Sequence, residues 1–202
     1  MRVYVETNFI LELVLQQEEC DACEALVALA QSKQIMLVTT SFSFVEPYTT
    51  LRGRAAMRRR LSDDLTRELR EIARTRGHAQ AVASTTLPAL LVQSANDAQQ
   101  GLLALTMRLV PLVDVLPLAA PTLLEGDRLR RDFGLTYPDA IVLAGVLLDP
   151  RLGAEQSCFL NRNTKDFDDP TIVETLCTRR CKLLPGFAEG LKYIQNHLAR
   201  GA

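Results

Sequence analysis

Four carboxylates stand where a short apolar run hands over to helix-forming residues. Glu6 closes Val3-Tyr4-Val5 and is followed by Thr7-Asn8. Glu46 comes shortly after the apolar run 35–38, in Ser43-Phe44-Val45-Glu46. Asp139 opens the helix-like Tyr137-Pro138-Asp139-Ala140-Ile141-Val142-Leu143-Ala144, and Asp166 follows the apolar Cys158-Phe159-Leu160. In an open α/β sheet, ligands bind beyond the carboxyl ends of parallel strands. If the four runs are neighbouring strands, their acids meet in one pocket. Oxygen ligands gathered in that way hold hard divalent cations, which activate water and offset phosphate charge without a His or Lys base. Thr7 and Asn8 are placed to orient the Glu6 carboxylate. Taken singly, each acid also reads as a cap or a surface charge. Asp139 has the type and position of a first-turn residue, whereas Glu46, between Phe44-Val45 and Pro47, is oddly placed for a casual solvent charge.

The elements that must position these acids alternate along the chain. Apolar runs at 2–5, 35–38, 113–116, 157–160 and 181–184 read as buried strands. Helical patterns at 8–17, 19–32, 41–50, 121–133, 138–148 and 185–199 separate them, with Pro121 and Pro138 at favoured first-turn positions. Such alternation predicts a parallel sheet covered by helices on both faces. Residues 52–111 interrupt it. Leu61, Leu65, Leu69 and Ile72 share one helical face, as do Leu87, Leu91, Ala95, Ala98, Leu102, Leu105 and Leu109. We expect an inserted αα-hairpin whose apolar stripes bury against each other, the sheet or another chain.

At the four acids the chain resembles the PIN-domain family of nucleases. Glu6-Thr7-Asn8 matches the family's Asp-Thr-Asn at the end of the first strand. Glu46 matches the acid on the helix after the second strand, and Asp139-Ala140 the Asp-Ala that opens a later helix. Asn161-Arg162-Asn163-Thr164-Lys165-Asp166-Phe167 matches the acidic segment after a late strand. The resemblance spans about 2–51 and 113–185. It implies one PIN-like domain over 1–202, a three-layer α/β/α sandwich with a central parallel sheet, with 52–111 a helical insertion. It also implies a metal-dependent endoribonuclease in which Glu6, Glu46, Asp139 and Asp166 hold Mg²⁺ or Mn²⁺ and act on RNA. Asn163 stands close to where the family often places its last acid, so the last metal ligand is either Asn163 or Asp166. Small relatives are toxins of toxin–antitoxin pairs, which implies an antitoxin-like protein inhibitor, and a homodimer is a further expectation. Two departures, Glu6 for Asp and Asn163 for Asp, support the alternative of a catalytically weakened PIN-like domain that binds RNA or protein. A doubly wound small-molecule binder is the third reading, and the absence of a glycine-rich phosphate loop counts against it.

Charge and composition narrow the partners. The 202 residues carry a net charge of −1, with 48% hydrophobic and 23% charged residues, an ordinary globular balance. The arginines are unevenly placed: 51–76 holds nine against four acids, a balance of +5 that leaves −6 elsewhere. Arg52, Arg54, Arg58, Arg59 and Arg60 read equally as phosphate contacts or as a solvated helix; Arg67, Arg70, Arg74 and Arg76 read as the latter, through i,i+4 pairs such as Arg60–Asp64, Asp63–Arg67 and Arg67–Glu71. Asn8, Arg52, Arg58, Arg59 and Lys165 are the expected substrate contacts, although for Lys165 a surface lysine is the simpler account. The spacings Cys20-x-x-Cys23 and Cys177-x-x-x-Cys181 lack a neighbouring His, so idle thiols are expected over structural zinc. His78 and His197 have no triad partners in view. No apolar stretch has the length of a signal peptide or a membrane span. With five cysteines and no secretion signal, a reducing cytoplasm is the expected compartment.

Overall fold

The structure is a computed structural model that describes residues 1–163 and 167–201. Its strands are β1 (Arg2–Val5), β2 (Met36–Thr40), β3 (Asp114–Leu116), β4 (Ser157–Asn161) and β5 (Cys181–Pro185). The helices are α1 (Thr7–Leu15), α2 (Cys20–Gln31), α3 (Ser41–Ala73), α4 (Ala79–Ala83), α5 (Leu87–Leu109), α6 (Ala120–Phe133), α7 (Tyr137–Leu147), α8 (Pro170–Thr178) and α9 (Phe187–Gly201). The strands form one sheet in the order β3-β2-β1-β4-β5, and every pairing is parallel. Tyr4 lies between Val38 on β2 and Phe159 on β4. The fold is therefore α/β with a five-stranded parallel sheet, each strand within two residues of its predicted position.

Strand alternation divides the core into two layers. Tyr4, Val38, Leu116 and Phe159 pack with Leu129 of α6, the apolar residues of α7, and Ile172 and Leu176 of α8. Residues 140–146 of α7 are all buried, as expected of a helix apolar on every side. On the other face Leu160 approaches Gly190 of α9, where a Cβ would come within 2.5 Å of the leucine methyl. Phe9 of α1 meets Phe187 of α9 edge to face at 5.4 Å between centroids, worth about 0.5–1.5 kcal/mol beyond the area buried. Helices thus cover both faces of the sheet.

Beneath the amino ends of the strands lies a buried ionic network. The Arg2 guanidinium donates to Asp114 at 2.7 Å and to Asp149 at 2.9 Å, and the Tyr4 hydroxyl donates to Asp149 at 2.9 Å. Arg151 pairs with both acids. Burial alone would push the Asp149 carboxyl up, but the Arg151 amide, Tyr4, and the Arg151 and Arg2 guanidiniums outweigh it and hold it below its ordinary value.

The chain divides into two compact units, Met1–Pro47 with Leu105–Ala202, and Tyr48–Ala104. The second is helical. Within it the Ser62 hydroxyl donates to the Pro88 carbonyl at 2.9 Å, and Leu51, Ala55, Ala95, Ala98 and Leu102 are buried. Three departures from the sequence reading stand out. First, α3 continues without a break from Ser41 to Ala73, because Gly53 costs a helix only about 1 kcal/mol and its neighbours are strong helix formers. Second, the apolar stripes are only partly buried: Leu61, Ile72 and Leu87 are exposed. Third, α8 was not expected. Asp169 caps it by accepting from the Thr171 amide at 2.8 Å, with Pro170 in its first turn.

Candidate acidic site

Glu6 ends β1 and is the N-cap of α1, its carboxylate accepting from the Asn8 amide at 2.7 Å. Its other oxygen accepts from the Arg162 amide, just past β4, at 3.3 Å. One carboxylate therefore ties two neighbouring strand ends together. Glu6 is only 6% exposed. Burial pushes its carboxyl up to about 7; the Asn8 and Arg162 amides oppose that, and the charge of Asp139 adds to it.

Glu46 lies in the early turns of α3, the helix that follows β2, and is half-buried. Its carboxylate accepts from the Thr7 hydroxyl. Thr7 thus serves Glu46, where the sequence suggested Glu6. The Glu46 carboxyl is also raised, first by burial and then by Asp139, against the Thr7 hydrogen bond. Pro47, the next residue, withdraws one amide from the helical ladder beside it.

Asp139 sits in the first turn of α7, where free amides favour negative charge. The N-cap Thr136 accepts from the Asp139 amide at 3.4 Å and donates its hydroxyl to the Asp139 carboxylate. Asp139 is thus both part of a helix cap and part of the acidic site. Asn163, after β4, donates its amide nitrogen to the same carboxylate at 3.3 Å, and its backbone amide is held by Asn161 at 2.6 Å.

The structure therefore brings Glu6, Glu46 and Asp139 close enough for one charge to act on the other two, with Asn163 beside them. Asp166 and Lys165 lie outside the described residues. Asn8 turns to Glu6 through its backbone amide. Arg52, Arg58 and Arg59 belong to the second unit; Arg52 and Arg59 are exposed, Arg58 is half-buried, and Arg59 reaches Asn96 at 3.5 Å. Within the arginine-rich stretch 52–76 the ion pairs are Asp64–Arg67 and Glu71–Arg74, at i,i+3 and not at the expected i,i+4. All five cysteines are free thiols.

The donor chemistry suits a hard divalent cation: carboxylates and an amide oxygen, with two of the acids raised by burial and by the charge of Asp139, which a cation would offset. Among the described residues, however, no three His, Cys, Asp or Glu side chains stand close enough to ligate one ion together. A full shell therefore needs a shift of these side chains, or a further donor.

Two contributors escaped the sequence reading. Thr136 had a local signal, since Thr-x-x-Asp ahead of an apolar run is a capping pattern. Arg162 had none. Its guanidinium pairs with the buried Glu12 and, at 3.0 Å, with Glu18. Glu19 in turn accepts from the Phe187 and Ala188 amides at the start of α9, at 3.2 and 3.0 Å. With the Arg162 Nε 3.9 Å from Glu19, the N-cap of α2, the strand end that reaches Glu6 is anchored to α1, α2 and α9. Gly186 fits this contact: its φ of 93° suits glycine, and a Cβ there would stand 3.0 Å from the Glu19 carboxylate.

No protein-family model, no curated protein and no solved structure matches this chain.

Proposed function

We propose that this protein is a metal-dependent endoribonuclease of the PIN type, hydrolysing RNA phosphodiesters at Glu6, Glu46 and Asp139. The observation that carries the reading is that Glu6, Glu46 and Asp139 come from three separate elements at the carboxyl ends of parallel strands, with the charge of Asp139 acting on both glutamates. The three acids, with Asn163 or Asp166, would hold Mg²⁺ or Mn²⁺. When bound, such an ion supplies Lewis acidity toward water and phosphate. Thr7 fixes the Glu46 carboxylate, Thr136 that of Asp139, and the Asn8 and Arg162 amides that of Glu6. Arg52, Arg58 and Arg59 of the second unit bind RNA phosphates, a role that positions without reading sequence. An antitoxin-like protein inhibitor and a homodimer belong to the same proposal.

One experiment tests it: purified protein, single-stranded and structured RNA, Mg²⁺ or Mn²⁺, with EDTA and Asp139→Asn as controls. The expected outcome is cleavage that disappears in both controls, by at least about 100-fold in the variant, with an unchanged melting temperature. Unaltered turnover in Asp139→Asn removes that residue from the mechanism.

A second reading has its own support. Both Glu6 oxygens are engaged by backbone amides, and the described acids do not close around one ion. On that reading the protein is a weakened PIN-like module that binds RNA or protein. RNA binding that persists in EDTA, without turnover in either metal, favours it.

A further inference from the structure

Beside the acids, at the carboxyl ends of β4 and β5, lies a cleft of about 150 Å³. Phe167, Val173, Leu183, Leu184 and Pro185 form its apolar walls, and Asn161, Asn163 and Asp168 supply its polar groups. Asn163 also donates to Asp139, so the cleft and the acidic site share a residue.

We infer that this cleft is a base-binding subsite, which takes one unpaired nucleobase of the RNA whose phosphodiester lies at the acids. The inference rests on the nuclease reading for its substrate, and three observations support it. First, ligand sites are apolar clefts with a few placed polar groups, and this one has room for a single ring system. Second, Asn161 is 2% exposed and its side-chain oxygen is committed to the Asn163 amide at 2.6 Å. That bond fixes which end of the amide is nitrogen, and among the described residues no acceptor meets the Asn161 NH₂ group. The NH₂ group of this cleft-lining residue is thereby left to donate, and a ring nitrogen or carbonyl of a base accepts from it. Third, Asp168 at the rim is an exposed acceptor, and the described lining residues include no cation. An acceptor at the rim beside the Asn161 donor favours a neutral ring that offers a donor next to an acceptor, as the Watson–Crick edge of every base does.

The test uses the intact protein in EDTA, so that binding is read apart from cleavage. Fluorescence anisotropy compares a labelled single-stranded hexaribonucleotide with an abasic ribose-phosphate chain of the same length. Wild-type protein should bind the base-containing chain at least about 10-fold more tightly. Val173→Trp, a 40% exposed position on the cleft wall, should fill the cleft and bring the two affinities within about twofold. Asp168→Ala, at an exposed position, should reduce the preference without altering the fold. Equal binding of both chains by the wild type, no binding of either, or a preference that survives in both variants overturns the inference. Failure of the nuclease reading shows separately, as absent metal-dependent cleavage with the base preference intact.

Discussion

Glu6 bridges two strand ends with one carboxylate, and the reach of its side chain decides whether both contacts form. An Asp there would be shorter by one C–C bond (~1.5 Å); it could still accept from the Asn8 amide, as an N-cap does, but not also from the Arg162 amide past β4. Glu6→Asp is therefore expected to lower metal-dependent RNA cleavage about 10-fold or more, measured under single-turnover conditions. Activity equal to or above wild type would mean that the longer side chain is a misfit. Asp149 permits a sharper expectation at the same scale. Its folded carboxyl lies below its ordinary value, so the unfolded chain takes up protons first as the solution is acidified. The stability it contributes is present above the unfolded value, near 3.9, and is lost as pH falls through the lower folded value. Asp149→Asn should cost about 3–5 kcal/mol at pH 7, the scale for breaking a buried ion pair. Urea melts at pH 7 and pH 3 should show the difference from wild type shrinking in acid; a constant difference would contradict the linkage.

Elements hold these residues in place by close approach as much as by hydrogen bonds. Gly190 lets α9 lie against Leu160, and a Cβ there would meet three leucine carbons at 2.5–3.0 Å. Leu160 is fully buried and has little room to move. Gly190→Ala should destabilise by about 1–3 kcal/mol, the scale of overpacking, despite its better helix propensity. A denaturation midpoint unchanged or raised would show that α9 can shift at no cost. The unexpected α8 is instructive here. Asp169-Pro170 is a cap followed by a first-turn proline, and Ile172 and Leu176 are buried at i,i+4 spacing, so its signal was local and readable. The continuous α3 was harder to read, because Pro47 and Gly53 both suggest an end that the surrounding helix formers override.

At the scale of the whole molecule, charge separates the two units. A net charge of −1 gives no general pull toward nucleic acid, so any RNA affinity must come from local patches. Arg52, Arg54, Arg58 and Arg60 have no carboxylate partner among the described residues, unlike Arg67 and Arg74. Replacing Arg52, Arg58 and Arg59 together by Gln should weaken RNA binding. The slope of log affinity against log salt should fall by about 2, at roughly 0.7 per phosphate contact on single strands. An unchanged slope would make them solvated surface. Among the described residues no helix is long and apolar enough to cross a membrane.

The strands were legible because each is a short, mostly apolar run, buried almost throughout in β1, β2 and β4 and in part at the edges in β3 and β5, a pattern that needs no knowledge of the partner. The acids were legible as candidates because carboxylates at strand-to-helix transitions are a local feature. Their meeting was not local. It depends on β1 lying between β2, which it pairs with across 34 positions, and β4, across 155, and on α7 returning its first turn to the same edge. The roles of Arg162, which anchors the strand end touching Glu6, and of Asn161, whose NH₂ group is left over at the cleft, likewise arise only when distant segments pack. Local pattern determined the elements and the chemical types they carry; tertiary packing alone decided which charges face one another, because burial and electrostatics act through space and not along the chain.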